Sequence, residues 1–158
     1  MSVLISNPAH VARGRFAWLM GVYGENYWRL VNLFGPDRLD CGRYVSCVGD
    51  GLDVQLDVLA KHPYTTELKL SYTFHDELTG QPDPSAHILC YRDARVAEVT
   101  ACYVGSRLED VLGRFPDART VLEHRLRMNG FLDKWLEYLA ERGHSRFTLK
   151  HVEQQASA

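Results

Sequence analysis

The chain reads as an α+β protein, an antiparallel five-stranded meander sheet packed against an N-terminal and a C-terminal amphipathic helix. Three observations predict this. Apolar residues recur at helical spacing near both ends of the chain, and between those ends they alternate with polar ones at strand spacing. The stretch from Ala86 to Val104 folds back on itself about Asp93 and Ala94.

Residues 1–12 read as a flexible lead-in, 13–150 as one α+β domain and 151–158 as a disordered tail. In the first helix, Phe16, Leu19, Met20, Tyr23, Tyr27, Leu30, Val31 and Phe34 form one apolar stripe. Gly35 and Pro36 stop it, since glycine suits the position after a helix and proline cannot continue the ladder. Trp18 and Trp28 lie off the stripe, where they either cover the helix flanks or offer a partner surface. After a loop, Tyr44 to Val48 make a short strand and Gly49-Asp50-Gly51 a turn. Leu52, Val54, Leu56 and Val58 alternate with Asp53, Gln55 and Asp57, as in a half-buried antiparallel strand with one wet face. Thr66, Leu68, Leu70, Tyr72 and Phe74 repeat the pattern. His75 to Pro84 reads as a surface loop, and its His75, Asp76 and Glu77 lack the spacing of a metal site.

The hairpin follows. With Asp93 and Ala94 at the bend, Tyr91 opposes Val96, Cys90 opposes Ala97, Leu89 opposes Glu98 and Ile88 opposes Val99. Opposed residues share a face. Ala86, Ile88, Cys90, Ala97, Val99 and Ala101 therefore form a floor for helix packing, and Leu89, Tyr91, Val96, Glu98 and Thr100 form a mixed face. A four-residue loop keeps the same opposition. Leu108, Val111, Leu112 and Phe115 fit a short helix ended by Pro116. A long helix then spans about 121–142, with Leu122, Met128, Phe131, Leu132, Trp135, Leu136 and Leu139 on one side. The run Ser145 to Val152 can add a last short edge strand.

The chain has 158 residues, 18 basic and 20 acidic, and a formal net charge of −2. This length buries a core without a metal or disulfide staple, and no cofactor is expected. The charge balance offers no basic stripe, so nucleic acid is an unlikely partner. No window approaches the roughly 20 apolar residues of a membrane span, and the N-terminus lacks the apolar core of a secretory signal. Cys41, Cys47, Cys90 and Cys102 form no CxxC, which fits a reduced, cytoplasmic protein.

No catalytic motif stands out among serine-nucleophile, zinc-helix, phosphate-loop or dinucleotide patterns. The residues left to consider are Glu98, Tyr91, Asp93, Arg95, Asn129, Tyr64 and Thr66. Glu98 sits between apolar and hydroxyl neighbours. It is either a desolvated acid with a raised pKa, suited to proton transfer or to holding a cation, or the partner of a nearby arginine that fixes register. Asp93 suits a turn. Arg95 at the tip could hold a phosphate or an acidic partner. Asn129 has poor helix propensity, so its amide either bonds across the sheet edge or lines a pocket. Tyr64 and Thr66 are strand-entry hydroxyls.

Tyr64-Thr65-Thr66, Tyr91 with Asp93-Ala94, Val96-Ala97-Glu98-Val99, and Asn129 followed by Phe131-Leu132 and Trp135-Leu136 together carry a resemblance. The chain resembles the YqiB-like family, short proteobacterial proteins with a domain of unknown function, from about the first helix to Gly143. The resemblance implies a soluble cytoplasmic protein and supplies no activity or catalytic residue. Genes of that family beside a cyclic-AMP phosphodiesterase and an ADP-ribose hydrolase give it a lean toward nucleotide signalling. The expected function is a binding or regulatory module acting through a protein partner, a homodimer or a small ligand, and leaning away from an enzyme. The rival is an enzyme or sensor for a nucleotide-like ligand held between sheet and helices.

Overall fold

The computed structural model describes residues 8–73, 84–103 and 117–153. Helix α1 spans Pro8–Leu33, followed by a 3-10 turn at Pro36–Arg38. Strands β1 (Gly42–Ser46), β2 (Val54–Lys61), β3 (Thr65–Tyr72), β4 (Ser85–Tyr91) and β5 (Val96–Tyr103) come next, then helix α2 (Ala118–Glu141) and strand β6 (Leu149–Val152). All strand pairs are antiparallel, in the order β5-β4-β3-β2-β1-β6. The five expected strands form the meander, because consecutive two-faced strands pair with their chain neighbours.

The sheet has six strands rather than five. The sixth pairs with β1, placing Tyr44 opposite His151 and Ser46 opposite Leu149. It falls within the run Ser145 to Val152 that the sequence offered as a short edge strand beyond the five of the meander, and contacts made elsewhere hold it in place. Ser46 Oγ lies 2.7 Å from His144 Nδ1 and 2.6 Å from Thr148 Oγ1, so β1 grips the turn that leads into β6. His151 and Val152, placed in the tail by the sequence, belong to this strand, and residues 8–12 of the lead-in belong to α1. The short helix expected through Leu108, Val111, Leu112 and Phe115 and the His75–Glu77 cluster lie outside the described residues.

His144 is buried, and that burial lowers its pKa; Arg142 acts in the same direction, while Asp50 and Asp53 oppose it. A histidine held neutral in the fold contributes stability that is complete above its unfolded pKa, about 6.5. That stability is lost as the pH falls below this value, because the unfolded chain binds the proton first. Urea midpoints should therefore drop from pH 7 to pH 5 more steeply in the wild type than in His144→Gln. Equal slopes would contradict this account.

The core forms where the helices meet one face of the sheet. Leu30 of α1, Phe34 just after it, and Leu132, Leu136 and Leu139 of α2 pack with Val54, Leu56, Leu68, Leu70, Ile88 and Val99, all fully or almost fully buried. Gly35 closes α1 at φ 58°, a left-handed conformation that glycine adopts without strain. Asp117 caps α2 by accepting a 2.8 Å bond from Thr120 N. The hairpin register is Tyr91↔Val96, Cys90↔Ala97, Leu89↔Glu98 and Ile88↔Val99, as alternation predicts. The turn occupies 92–95, with Arg95 at φ 55°, so the four-residue loop is the one adopted.

Two expectations fail within these elements. The register shifts between Ile88 and His87, where Thr100 is an extra residue. This bulge turns Ala101 outward, and the half-buried Cys102 takes its place opposite Ala86. On α1, Phe16 and Met20 are exposed, although the stripe placed them inside. The helix instead buries Val22 and Asn26 beside the expected Leu19 and Tyr23. The reason is that α1 packs on α2 as well as on β5, so its inward face is wider than one stripe and rotated from it.

Candidate functional site

The sheet face turned away from the helices carries paired polar groups. Arg43 Nε lies 3.1 Å from Asp57 Oδ1, and Gln55 Nε2 donates to the other oxygen of Asp57 at 3.0 Å. His87 bridges Glu67 Oε1 at 2.7 Å and Thr100 Oγ1 at 2.5 Å. Tyr91 donates its hydroxyl to Glu98 at 2.7 Å. Opposed positions along β4 and β5 place these last two on the same face, as the alternation implied.

Glu98 takes a second partner from α2, with Arg125 Nη1 3.9 Å from its other oxygen. Its hydrogen bond with Tyr91 pushes the Tyr91 phenol up to about 12, with burial adding to the effect. Burial likewise raises the phenol of Tyr23, against the pull of its hydrogen bond to Arg125. The group is a carboxylate held between a phenol and a guanidinium at the rim of the sheet. In Glu98→Gln the Tyr91 phenol loses its carboxylate neighbour, so its titration at 295 nm should move down from about 12 toward the ordinary value near 10. An unchanged titration would mean that another group holds the proton.

Asn129 joins three elements. Its Oδ1 accepts from Val99 N at 2.8 Å, its Nδ2 donates to Arg125 O at 2.8 Å, and its carbonyl accepts from Asn26 Nδ2 at 3.1 Å. Among the described residues β5 is an edge strand, and Asn129 accepts from an amide on its outer side. Both Asn26 and Asn129 are fully buried. Of the two alternatives open for Asn129, the amide bonds the sheet edge.

The remaining candidates are spread apart. Thr66 is buried and bonds Asp37 at 3.4 Å, in the turn after α1. Tyr64 is exposed, and its carbonyl accepts from Arg92 N at 2.9 Å across the strand ends. Asp93 is exposed in the turn. Arg95 reaches back to α1, with its Cζ 6.0 Å from the ring centre of Trp28. The structure thus brings Tyr91, Glu98 and Asn129 to the β5 edge and Arg95 to α1, while Tyr64 and Thr66 sit elsewhere.

The exposed large side chains of α1 are the second feature. Trp18 is 70% exposed, Phe16 58%, Trp28 51% and Met20 43%. Such large apolar side chains, gathered on one exposed element, mark contact surfaces. The off-stripe tryptophans carried that signal in the sequence, whereas Phe16 and Met20 did not, because helical spacing assigned them inward.

Clefts also open among the described residues. One of about 490 Å³ lies at the corner of β1, β2 and β6, lined by Cys41, Arg43, Asp57, Leu59 and His151 among others. A smaller one of about 280 Å³ opens between the end of β3 and α2, lined by Tyr72, Phe131, Trp135, Lys134 and Tyr138 with Pro84. Neither contains Glu98, Asn129, Tyr64 or Arg95, the groups a nucleotide-like ligand would be expected to meet. Among the described residues no three histidine, cysteine or carboxylate groups are placed to hold a metal, and no helix is long and apolar enough to cross a membrane. All four cysteines are free.

A family model described as a protein of unknown function, DUF1249, matches residues 29–145. No curated protein and no solved structure matches.

Proposed function

The chain belongs to the DUF1249 family of proteins of unknown function, and from that premise, which supplies no activity, we propose that it is a non-enzymatic binding module. Its contact surface is the outer side of α1, it binds a protein partner there, and it works in the cytoplasm. The narrower resemblance to the YqiB-like proteobacterial proteins, carried by the run from Tyr91 to Val99, is part of the same reading. The supporting observation is the exposure of Trp18, Trp28, Phe16 and Met20 on one helix. These residues precede position 29, so the matched family region says nothing about them. Tryptophan is enriched among the residues that dominate binding energy, and Arg95 over the Trp28 ring extends the surface onto the hairpin tip.

The Tyr91–Glu98–Arg125 group then serves the frame. It ties the hairpin to α2, and Asn129 ties α2 to the edge of β5 and to α1. Together they hold the helix pair on the sheet and keep the outer side of α1 facing away from it. Light scattering after gel filtration, followed by affinity capture with the full chain, tests this reading. A complex larger than the monomer is expected. A monomer that captures nothing specific would defeat it.

A further inference from the structure

We propose that the smaller cleft, between the end of β3 and α2, binds a small planar aromatic acid. The ring of the ligand lies against Phe131 and Trp135, and its carboxylate meets Lys134. This site is separate from the contact surface on α1 and does not depend on it.

Helical spacing builds one side of the cleft. Residues four apart on a helix are neighbours, so Phe131 with Trp135, and Lys134 with Tyr138, make two adjacent rows on α2. Tyr72 at the end of β3 and Pro84 just before β4 close the other side. The rings are fixed against one another. Trp135 lies 5.4 Å from Tyr72 and 5.6 Å from Phe131, centre to centre, at tilts of 56° and 36°. Trp135 Nε1 donates to the Tyr72 hydroxyl at 3.1 Å. These two polar tips are turned to each other, which leaves ring carbon as the lining of the cleft. A cavity of about 150 Å³ holds one benzene. The cleft here is about 280 Å³, so it suits one or two fused rings with a short arm.

Charge then selects the sign of the ligand. Aromatic walls alone attract cations as well as flat rings. None of the lining residues is acidic, however, and Lys134 is exposed among them. The acids beside it on α2 are engaged elsewhere. Asp133 pairs with Arg29 at 2.5 Å, and Glu137 lies 4.0 Å from the same guanidinium. Glu141 stands seven residues beyond Lys134, about 10 Å along the helix axis. Arg142, over the Tyr138 ring, is held by Asp50 at 3.4 Å. Lys134 is thus a cation without a carboxylate partner among the described residues, set beside apolar walls. It repels a positively charged ligand and strengthens the hold on an acid.

Nuclear magnetic resonance of the full chain, titrated with naphthoate, tests the proposal. The Trp135 indole N–H signal should shift and saturate in the millimolar range expected of so small a ligand, while those of Trp18 and Trp28 stay in place. Naphthylmethylamine has a similar shape and the opposite charge. It should bind about tenfold more weakly, because the charge-assisted contact is lost. Lys134→Glu should weaken naphthoate by about the same factor and leave the melting temperature nearly unchanged, since the side chain is exposed. The absence of a saturable shift at Trp135 would overturn the proposal. So would equal binding of the amine, an unchanged naphthoate affinity in Lys134→Glu, or shifts confined to Trp18 and Trp28.

Discussion

Asn129→Ala should lower stability by about 2–3 kcal/mol, a large loss for a single polar side chain. The substitution removes the acceptor for Val99 N and the donor to Arg125 O, each at 2.8 Å. A buried backbone amide left without an acceptor costs about 1–3 kcal/mol, and the better helix propensity of alanine offsets only part of it. In a chain of this size each kcal/mol moves the melting temperature by about 2–4 °C, so a fall of roughly 4–12 °C is expected. Because Val99 lies at the Thr100 bulge on the edge strand, amide exchange should rise in β5 before it rises in β2 or β3. A variant that melts within 2 °C of the wild type would show that Asn129 does not cap the strand.

The second large effect falls on binding rather than on folding. Trp18→Ala combined with Trp28→Ala should leave the melting temperature nearly unchanged, because both rings are half exposed or more and stand outside the buried core. Exposed substitutions of this kind usually stay near 0.5 kcal/mol. Partner affinity should fall at least a hundredfold, since truncating one central aromatic anchor typically costs 2 kcal/mol or more. Isothermal titration or sedimentation reads the affinity, and thermal melting reads the fold. Loss of both together would show that the tryptophans serve the domain itself.

The sequence showed most where side chains repeat with the backbone. Alternation placed Leu56, Leu70 and Ile88 on the buried face, and the opposition of Tyr91 with Val96 set the hairpin register that the structure adopts. A period of two leaves little room for error, because a slip of one residue moves a whole face into water. The bulge at Thr100 was hidden for a different reason: its neighbour Val99 bonds to Asn129 on α2, a partner thirty positions away. The edge strand offered by Ser145 to Val152 was visible as a possibility, but its pairing with β1 was not, since Ser46, His144 and Thr148 meet only after folding. Helical spacing found the apolar residues of α1 but not the direction of α2, so Phe16 and Met20 were assigned inward.

The candidate site was legible only in part. Tyr91 and Glu98 could be placed on one face, and Trp18 and Trp28 could be placed off the stripe. The Arg125 partner of Glu98, the Asn26–Asn129 pair and the reach of Arg95 to Trp28 are long-range contacts that no local pattern encodes.

The central claim is that this protein meets its partner through the outer side of α1. A photo-crosslinking amino acid at position 21 tests it most directly, because a side chain there enters open space. Position 69, on the polar face of the sheet, serves as the comparison. Irradiation in the producing cell should yield a discrete adduct from position 21 and none from position 69. No adduct at position 21, with one at position 69, would contradict the claim.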